Sequence, residues 1–278
     1  MILKFVTLSK VILFYPNFAL KNQSHDMQSF EIRYETSENT PPPYSYAYIL
    51  KGTVGQNLQL HYQIQYTHRE DLGEEEILGE GFTMNDDLTL EGEIAPVWTE
   101  QILQLLAKTK PSKRQEHPNQ NFFEIEINKG HGSKDIFTPT HQEEWEYLCE
   151  ELCQALLEAR QVERALLVRF KRISSLESID YQLIVQFSKR QVLLNKKTKK
   201  EQSKEVVLSW QAGKDFLELI FKPDYFAEDA QVHEPTQQGF FANIGDNFWY
   251  EAGKSMLNRS EKVNLIEKIE KKLHDLLA

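Results

Sequence analysis

Three groups of residues in this sequence combine side chains that could bind or react. The first is Gln59, His61, Gln63 and Gln65, which alternate with Leu58, Leu60, Tyr62, Ile64 and Tyr66. Period-two alternation puts the polar set on one face of a strand and the apolar set on the other. Uncharged amides and an imidazole on a rigid strand can hydrogen-bond a peptide or a small polar ligand. The stretch 222–253 holds seven aromatic residues in neither regular period, among them Phe240 and Trp249. These two are expected to wall a cleft whose floor is the polar strand face, as apolar walls do in small-ligand pockets. The plainer reading of the same four residues is the wet side of a sheet.

The second group is Lys129, Gly130, His131, Gly132 and Ser133, followed by Lys134. Glycines let backbone N–H groups approach an anion, and lysines add charge. A helix beginning directly after the loop would add its positive end. Asp135 to Pro139 delays that helix, and a glycine loop with no ligand explains the same residues. The third group is Asp224, Asp229, His233 and Glu234, with Glu228 and Asp246 close by in sequence. Carboxylates with one imidazole can hold a divalent cation and activate water, the chemistry of a metal-assisted hydrolase. Their spacing follows no established ligand pattern. The sequence contains no Gly-x-Ser-x-Gly elbow, phosphate-binding P-loop, His-Glu-x-x-His or Cys-x-x-Cys.

These groups must be held by the elements around them. Tyr44, Tyr46, Tyr48 and Leu50 alternate with smaller residues just before the Gln59 strand, and Gly52 and Gly55 lie between, so the two runs predict a hairpin. Phe30, Ile32 and Tyr34 predict a strand before it. Pro41, Pro42 and Pro43 predict a short polyproline II entry. The charged run from His68 to Glu76 reads as a solvated loop or exposed helical turn. Phe82 to Ile94 offers one or two further strands. Pro96 opens a helix lined by Trp98, Ile102, Leu105 and Leu106.

The stretch Ser112 to Asn121 lacks large apolar residues and marks the expected boundary. Beyond it come a strand at Phe123, Ile125 and Ile127 and a long helix from about Thr140. Four strands follow, around Val168, Leu183, Leu208 and Leu219. A closing helix is expected over Ser260–Leu277, with Ser260 as N-cap and Glu261 in its first turn.

The expected fold is therefore α+β, with antiparallel sheet covered on one face by amphipathic helices. It divides into two β-rich halves, 27–110 and 121–278, each closed by a helix. The similar settings of Tyr62-Gln63-Ile64 and Tyr181-Gln182-Leu183 raise duplication as an option. Residues 1–26 read as an extension ahead of a start at Met27, because Lys10 and Pro16 interrupt the apolar run. A signal or membrane anchor is the alternative.

Net charge is −10, with 42 acidic against 32 basic residues, which argues against a general nucleic-acid binder. No apolar run is long enough to suggest a membrane span. Cys149 and Cys153 sit one helical turn apart, poorly placed for a disulfide, and fit buried thiols in a reducing, cytoplasmic setting. No cofactor signature is present. The function expected is a non-catalytic binding module for a protein partner or a small polar ligand. A metal-assisted hydrolase over 224–246 is the first alternative, and a structural subunit of a larger assembly the second.

Overall fold

A computed structural model describes residues 27–112, 119–130, 132–198, 203–258 and 263–277. The expectations for residues 1–26, for His131, for Ser260 and Glu261, and for most of the expected boundary stretch lie outside the described residues. The chain forms two compact units. The first holds the described residues up to Arg164 together with Phe187–Arg190, and the second holds Ala165–Gln186 and the residues from Gln191 onward.

The first unit is a seven-stranded antiparallel sheet. Its strands are β1 (Ser29–Glu35), β2 (Tyr46–Val54), β3 (Leu58–Tyr66), β4 (Leu88–Ile94), β5 (Pro111–Ser112), β6 (Phe122–Asn128) and β7 (Lys134–Pro139), in the spatial order β4-β3-β2-β1-β6-β7-β5. Its helices are α1 (Glu74–Gly79), α2 (Val97–Lys108) and α3 (Gln142–Ala159). The alternation read from the sequence fixes which side of each strand is buried: Phe30, Ile32, Leu50, Leu58, Leu60, Ile125 and Ile127 are at most 3% exposed. Trp145, Leu148, Cys149, Leu152, Ala155 and Leu156 of α3 are buried at helical spacing, and α3 runs against β4 and β7. Gly52 sits where the Phe30 ring crosses from β1, and a Cβ there would lie 2.1 Å from a ring carbon. Burial pushes the Cys149 thiol up to about 12, despite a hydrogen bond with Tyr48, so this cysteine stays protonated.

The connection from β3 to β4 is tied by one buried ion pair rather than left to solvent. Arg69 lies over the rings of Tyr66 (4.4 Å) and Phe82 (4.9 Å) and donates to Asp86 at 2.9 Å. Asp86 also accepts from the Thr83 amide (2.9 Å) and hydroxyl (2.6 Å). Burial raises the Asp86 carboxyl, but the bonds from Thr83 and Arg69 outweigh it and hold the group below its usual 3.8.

The second unit holds β8 (Leu166–Ile173), β9 (Ser178–Gln186), β10 (Gln191–Thr198), β11 (Lys204–Leu208), β12 (Asp224–Tyr225), β13 (Gly239–Asn243), β14 (Tyr250–Glu251) and β15 (Met256–Leu257). Six of these form an antiparallel sheet in the order β11-β10-β9-β8-β13-β14, and β12 pairs with β15. Helices α4 (Trp210–Ile220) and α5 (Leu265–Leu276) pack together, and α4 lies on β10, where Gly213 meets Val192. The architecture is thus α+β, with two β-rich halves. Among the described residues no helix is long and apolar enough to cross a membrane.

Several local expectations are corrected. The strand expected at Leu217, Leu219 and Phe221 is α4: Ser209 caps it by accepting from the Ala212 amide (3.2 Å), and Trp210, Gly213, Phe216, Leu217 and Ile220 are buried at three- and four-residue spacing. The closing helix starts at Leu265, capped by Asn264, whose side chain accepts from the Glu267 amide at 3.1 Å. Pro41–Pro43 is a turn, with Tyr44 N–H donating to Pro41 O (3.0 Å), not an extended helix. Phe82–Met84 forms no strand, whereas Lys134–Pro139 does. The change of sheet falls after α3 and not near Ser112, because β6 pairs with β1 residue for residue from Phe122 to Asn128.

Leu60 is fully buried, whereas Ile64, near the open end of β3, is only partly covered. Leu60→Ala is therefore expected to cost about 2–5 kcal/mol and Ile64→Ala about 1 kcal/mol by urea denaturation. Equal costs would mean that the covered length of β3 is misassigned.

The Asp86 clamp sets a pH dependence. Its folded pKa lies below the unfolded value, so its stabilisation is complete above about pH 4 and is lost as pH falls through the folded pKa. Asp86→Asn should lose about 3 kcal/mol at neutral pH and show a flatter loss of stability in acid. Parallel acid profiles for the two proteins would sink this assignment.

Candidate functional site

With α3 on one side of the first sheet, the other side keeps its polar residues in water. Gln59 and Gln65 are exposed, and His61 and Gln63 are half-buried, so the structure places all four on that open face of β3. Register sets their neighbours. His61 stands opposite Lys51 of β2 and Glu91 of β4, and Lys51 stands opposite Glu31 of β1, which stands opposite Glu126 of β6. One residue pair further on, Gln63 faces Ile49 and Thr89, and Ile49 faces Arg33, which faces Glu124.

Charges on this face are tied across strands. Lys51 Nζ lies 3.1 Å from Glu31, Arg33 lies 2.6 Å from Glu31 and 3.1 Å from Glu124, and His61 Nδ1 lies 2.7 Å from Glu91. Lys134 Nζ meets Glu126 at 2.5 Å, and Asn57 donates to Glu93 at 3.0 Å. Burial raises the Glu31 carboxyl, but hydrogen bonds and charge from Lys51 and Arg33 bring it below its usual value. The hydrogen bond that Arg33 donates to Glu31 raises the guanidinium in turn. The face carries Glu31, Glu35, Glu91, Glu93, Glu124 and Glu126 against Arg33, Lys51 and Lys134, and is acidic. Chemically it presents carboxylate acceptors held in place by cross-strand pairs.

The other expected residues lie on other elements. Phe240 and Trp249 belong to the second unit and are 3% and 4% exposed. Within that unit Phe240 stacks on Phe170 at 5.8 Å, and Trp249 lies under the Arg169 guanidinium at 5.0 Å.

The Lys129 loop is the turn between β6 and β7. Lys129 N–H donates to Ser133 O (3.1 Å), Ser133 N–H to Gly130 O (3.0 Å), and Gly130 N–H to Asn128 Oδ1 (3.0 Å). Lys129 is paired with Asp135 and Lys134 with Glu126. Gly130 and Gly132 have φ of +80° and +79°, so the glycines serve the turn. A strand, not a helix, follows, so the helix end expected there is absent, and the amides of Lys129, Gly130 and Ser133 are taken within the turn.

Asp224 sits in β12, Asp229 ends a 3-10 turn, Glu234 is paired with Lys171, and the His233 carbonyl accepts from Gln231 at 3.1 Å. Among the described residues no three of His, Cys, Asp and Glu are grouped to hold a metal ion.

Sequence reasoning missed the partners Glu31, Arg33, Lys51, Glu91 and Glu124. Their parity was readable from the alternation along each strand, but the register that sets them in rows was not. Comparison with protein-family models, with curated proteins and with solved structures finds no match.

Proposed function

We propose that this protein is a non-catalytic interaction module, and that the open face of the seven-stranded sheet docks a cationic segment of a partner protein. The observation that carries this reading is the surplus of carboxylates on a sheet face its own helices leave bare. A sheet face held rigid by six neighbouring ladders presents these groups with little motion to lose on binding, which favours recognition of a complementary charge pattern. Glu93 and Glu35 carry no cation partner among the described residues, and Glu91 is 67% exposed. The same acidity repels phosphate backbones and supports a protein partner over a nucleic acid. Two free cysteines support a reducing, cytoplasmic setting.

Titration with a fluorescent oligolysine and a matched oligoglutamate tests the reading. Binding of oligolysine alone is expected, weakening steeply with salt. Glu91→Lys with Glu93→Lys should weaken it about tenfold, whereas Glu74→Lys with Glu75→Lys, on exposed α1, should have a much smaller effect. Equal losses from both pairs would reduce the effect to net charge and remove the face as the site. No binding of oligolysine would remove the proposal altogether.

A further inference from the structure

The acidic face of the first sheet ends at an open edge. β4 is the outermost strand on that side, and it pairs with β3 residue for residue from Leu88 to Ile94. Along its other edge, no described element outside β3 hydrogen-bonds a β4 backbone group. The free stretch ends at Ile94, because the next amide, that of Ala95, donates to Ser188 O at 3.2 Å.

Unpaired edges are normally short or interrupted, since they template pairing with another chain. The other outer strands of the two large sheets fit that rule. β5 and β14 have two residues each, β5 begins with Pro111, and β11 has five residues. β4 has seven and contains no proline. Thr89, Glu91 and Glu93 are exposed on one side of it, and Leu88 and Leu90 are half-buried on the other. Gly92 lies between the two glutamates on the inward side, where the Arg160 stem covers it, with Cδ 2.8 Å from the place of a Cβ.

The charges decide which strand fits this edge. A second copy of β4, paired antiparallel about Gly92, would set Glu91 against Glu93, and like charges directly opposite are destabilising. A strand with lysines at alternate positions meets both glutamates instead, because residues opposite one another on paired strands share a face about 5 Å apart. Glu91 is 67% exposed, and Glu93 accepts from the neutral Asn57 amide at 3.0 Å, so both carboxylates are open to a cation. The residue between the two lysines points inward over the aliphatic stem of Arg160, and an apolar side chain suits it there.

We propose that the free edge of β4 takes up an extended segment of the partner protein by strand addition, with lysines opposite Glu91 and Glu93 and an apolar residue between them. Backbone hydrogen bonds supply affinity, and the alternating side chains select the segment. This rests on the acidic face being the binding site, and it adds the conformation and residue order of what binds there.

The probe is the peptide Lys-Val-Lys-Val-Lys, acetylated and amidated at its ends. It is compared with Lys-Lys-Val-Val-Lys, of the same composition, and with the alternating peptide N-methylated at every residue, while oligolysine is titrated alongside. The alternating peptide should bind saturably and slow hydrogen exchange, read by NMR, at the amides between Leu88 and Ile94 that point away from β3. The reordered and the N-methylated peptides should each bind about tenfold more weakly, since one loses a charge pair and the other its backbone donors. Strand addition is overturned if the alternating peptide does not bind, if the three peptides bind equally, or if saturation leaves exchange in β4 unchanged. Where oligolysine still binds in any of these cases, the acidic face stands and only strand addition falls. If oligolysine fails to bind as well, both readings fall together.

Discussion

The packing of α3 on the first sheet decides what the rest of that unit can be. Eighteen residues of helix, Gln142–Ala159, bury Trp145, Leu148, Leu152, Ala155 and Leu156 on strands whose inward residues are almost wholly covered. Each such side chain is worth about 1.5–3 kcal/mol when removed from water, far more than any surface ion pair in this unit. The close approach needs small residues on the strands: a Cβ on Gly92 would lie 3.1 Å from Leu156. Once this interface closes one side, strand geometry leaves the alternate residues on the other, away from α3. The acidic face follows from the burial opposite it.

This dependence explains why so much of the first unit was legible. A period-two pattern is local, so β1, β2, β3 and β6 announce themselves from Phe30, Tyr48, Leu60 and Ile125 without knowledge of the partner strands. The change of sheet was not legible, because a polar stretch near Ser112 carries no record of which strands pair on either side of it. Pairing of β6 with β1 is a contact across about ninety residues of sequence, and no short window reports it. The helix α4 was misread for another reason. Leu217, Leu219 and Phe221 alternate, but Trp210, Gly213, Phe216 and Ile220 mark the three- and four-residue spacing that won, with Ser209 as the cap. The wider window held the stronger signal.

Site residues were legible to the same depth. The polarity of Gln59, His61, Gln63 and Gln65 could be read from parity, yet their meaning depends on Lys51, Glu91 and Glu31, which join them only through register. The acidic stretch around His233 illustrates the opposite error. Residue types suited to a metal came from proximity in sequence, but Glu234 turns to Lys171 and Asp224 pairs in a strand. Arg69 likewise sat in a run that reads as solvated and instead lies over two rings and pairs with a buried aspartate. Local composition cannot distinguish a charge that is wet from one that is clamped.

The ion pairs of the first unit differ in what breaking them costs. On the polar side of the sheet, Lys51 meets Glu31, and Arg33 meets Glu31 and Glu124, across neighbouring strands. Pairs of this kind at a protein surface are worth about 0–1 kcal/mol each, because both groups return to water when they part. Asp86 is 6% exposed and takes its bonds from Thr83 and Arg69, so removing a partner there leaves a buried charge without compensation. The clamp between β3 and β4 is therefore the pair on which stability depends, although the sheet face displays more charges.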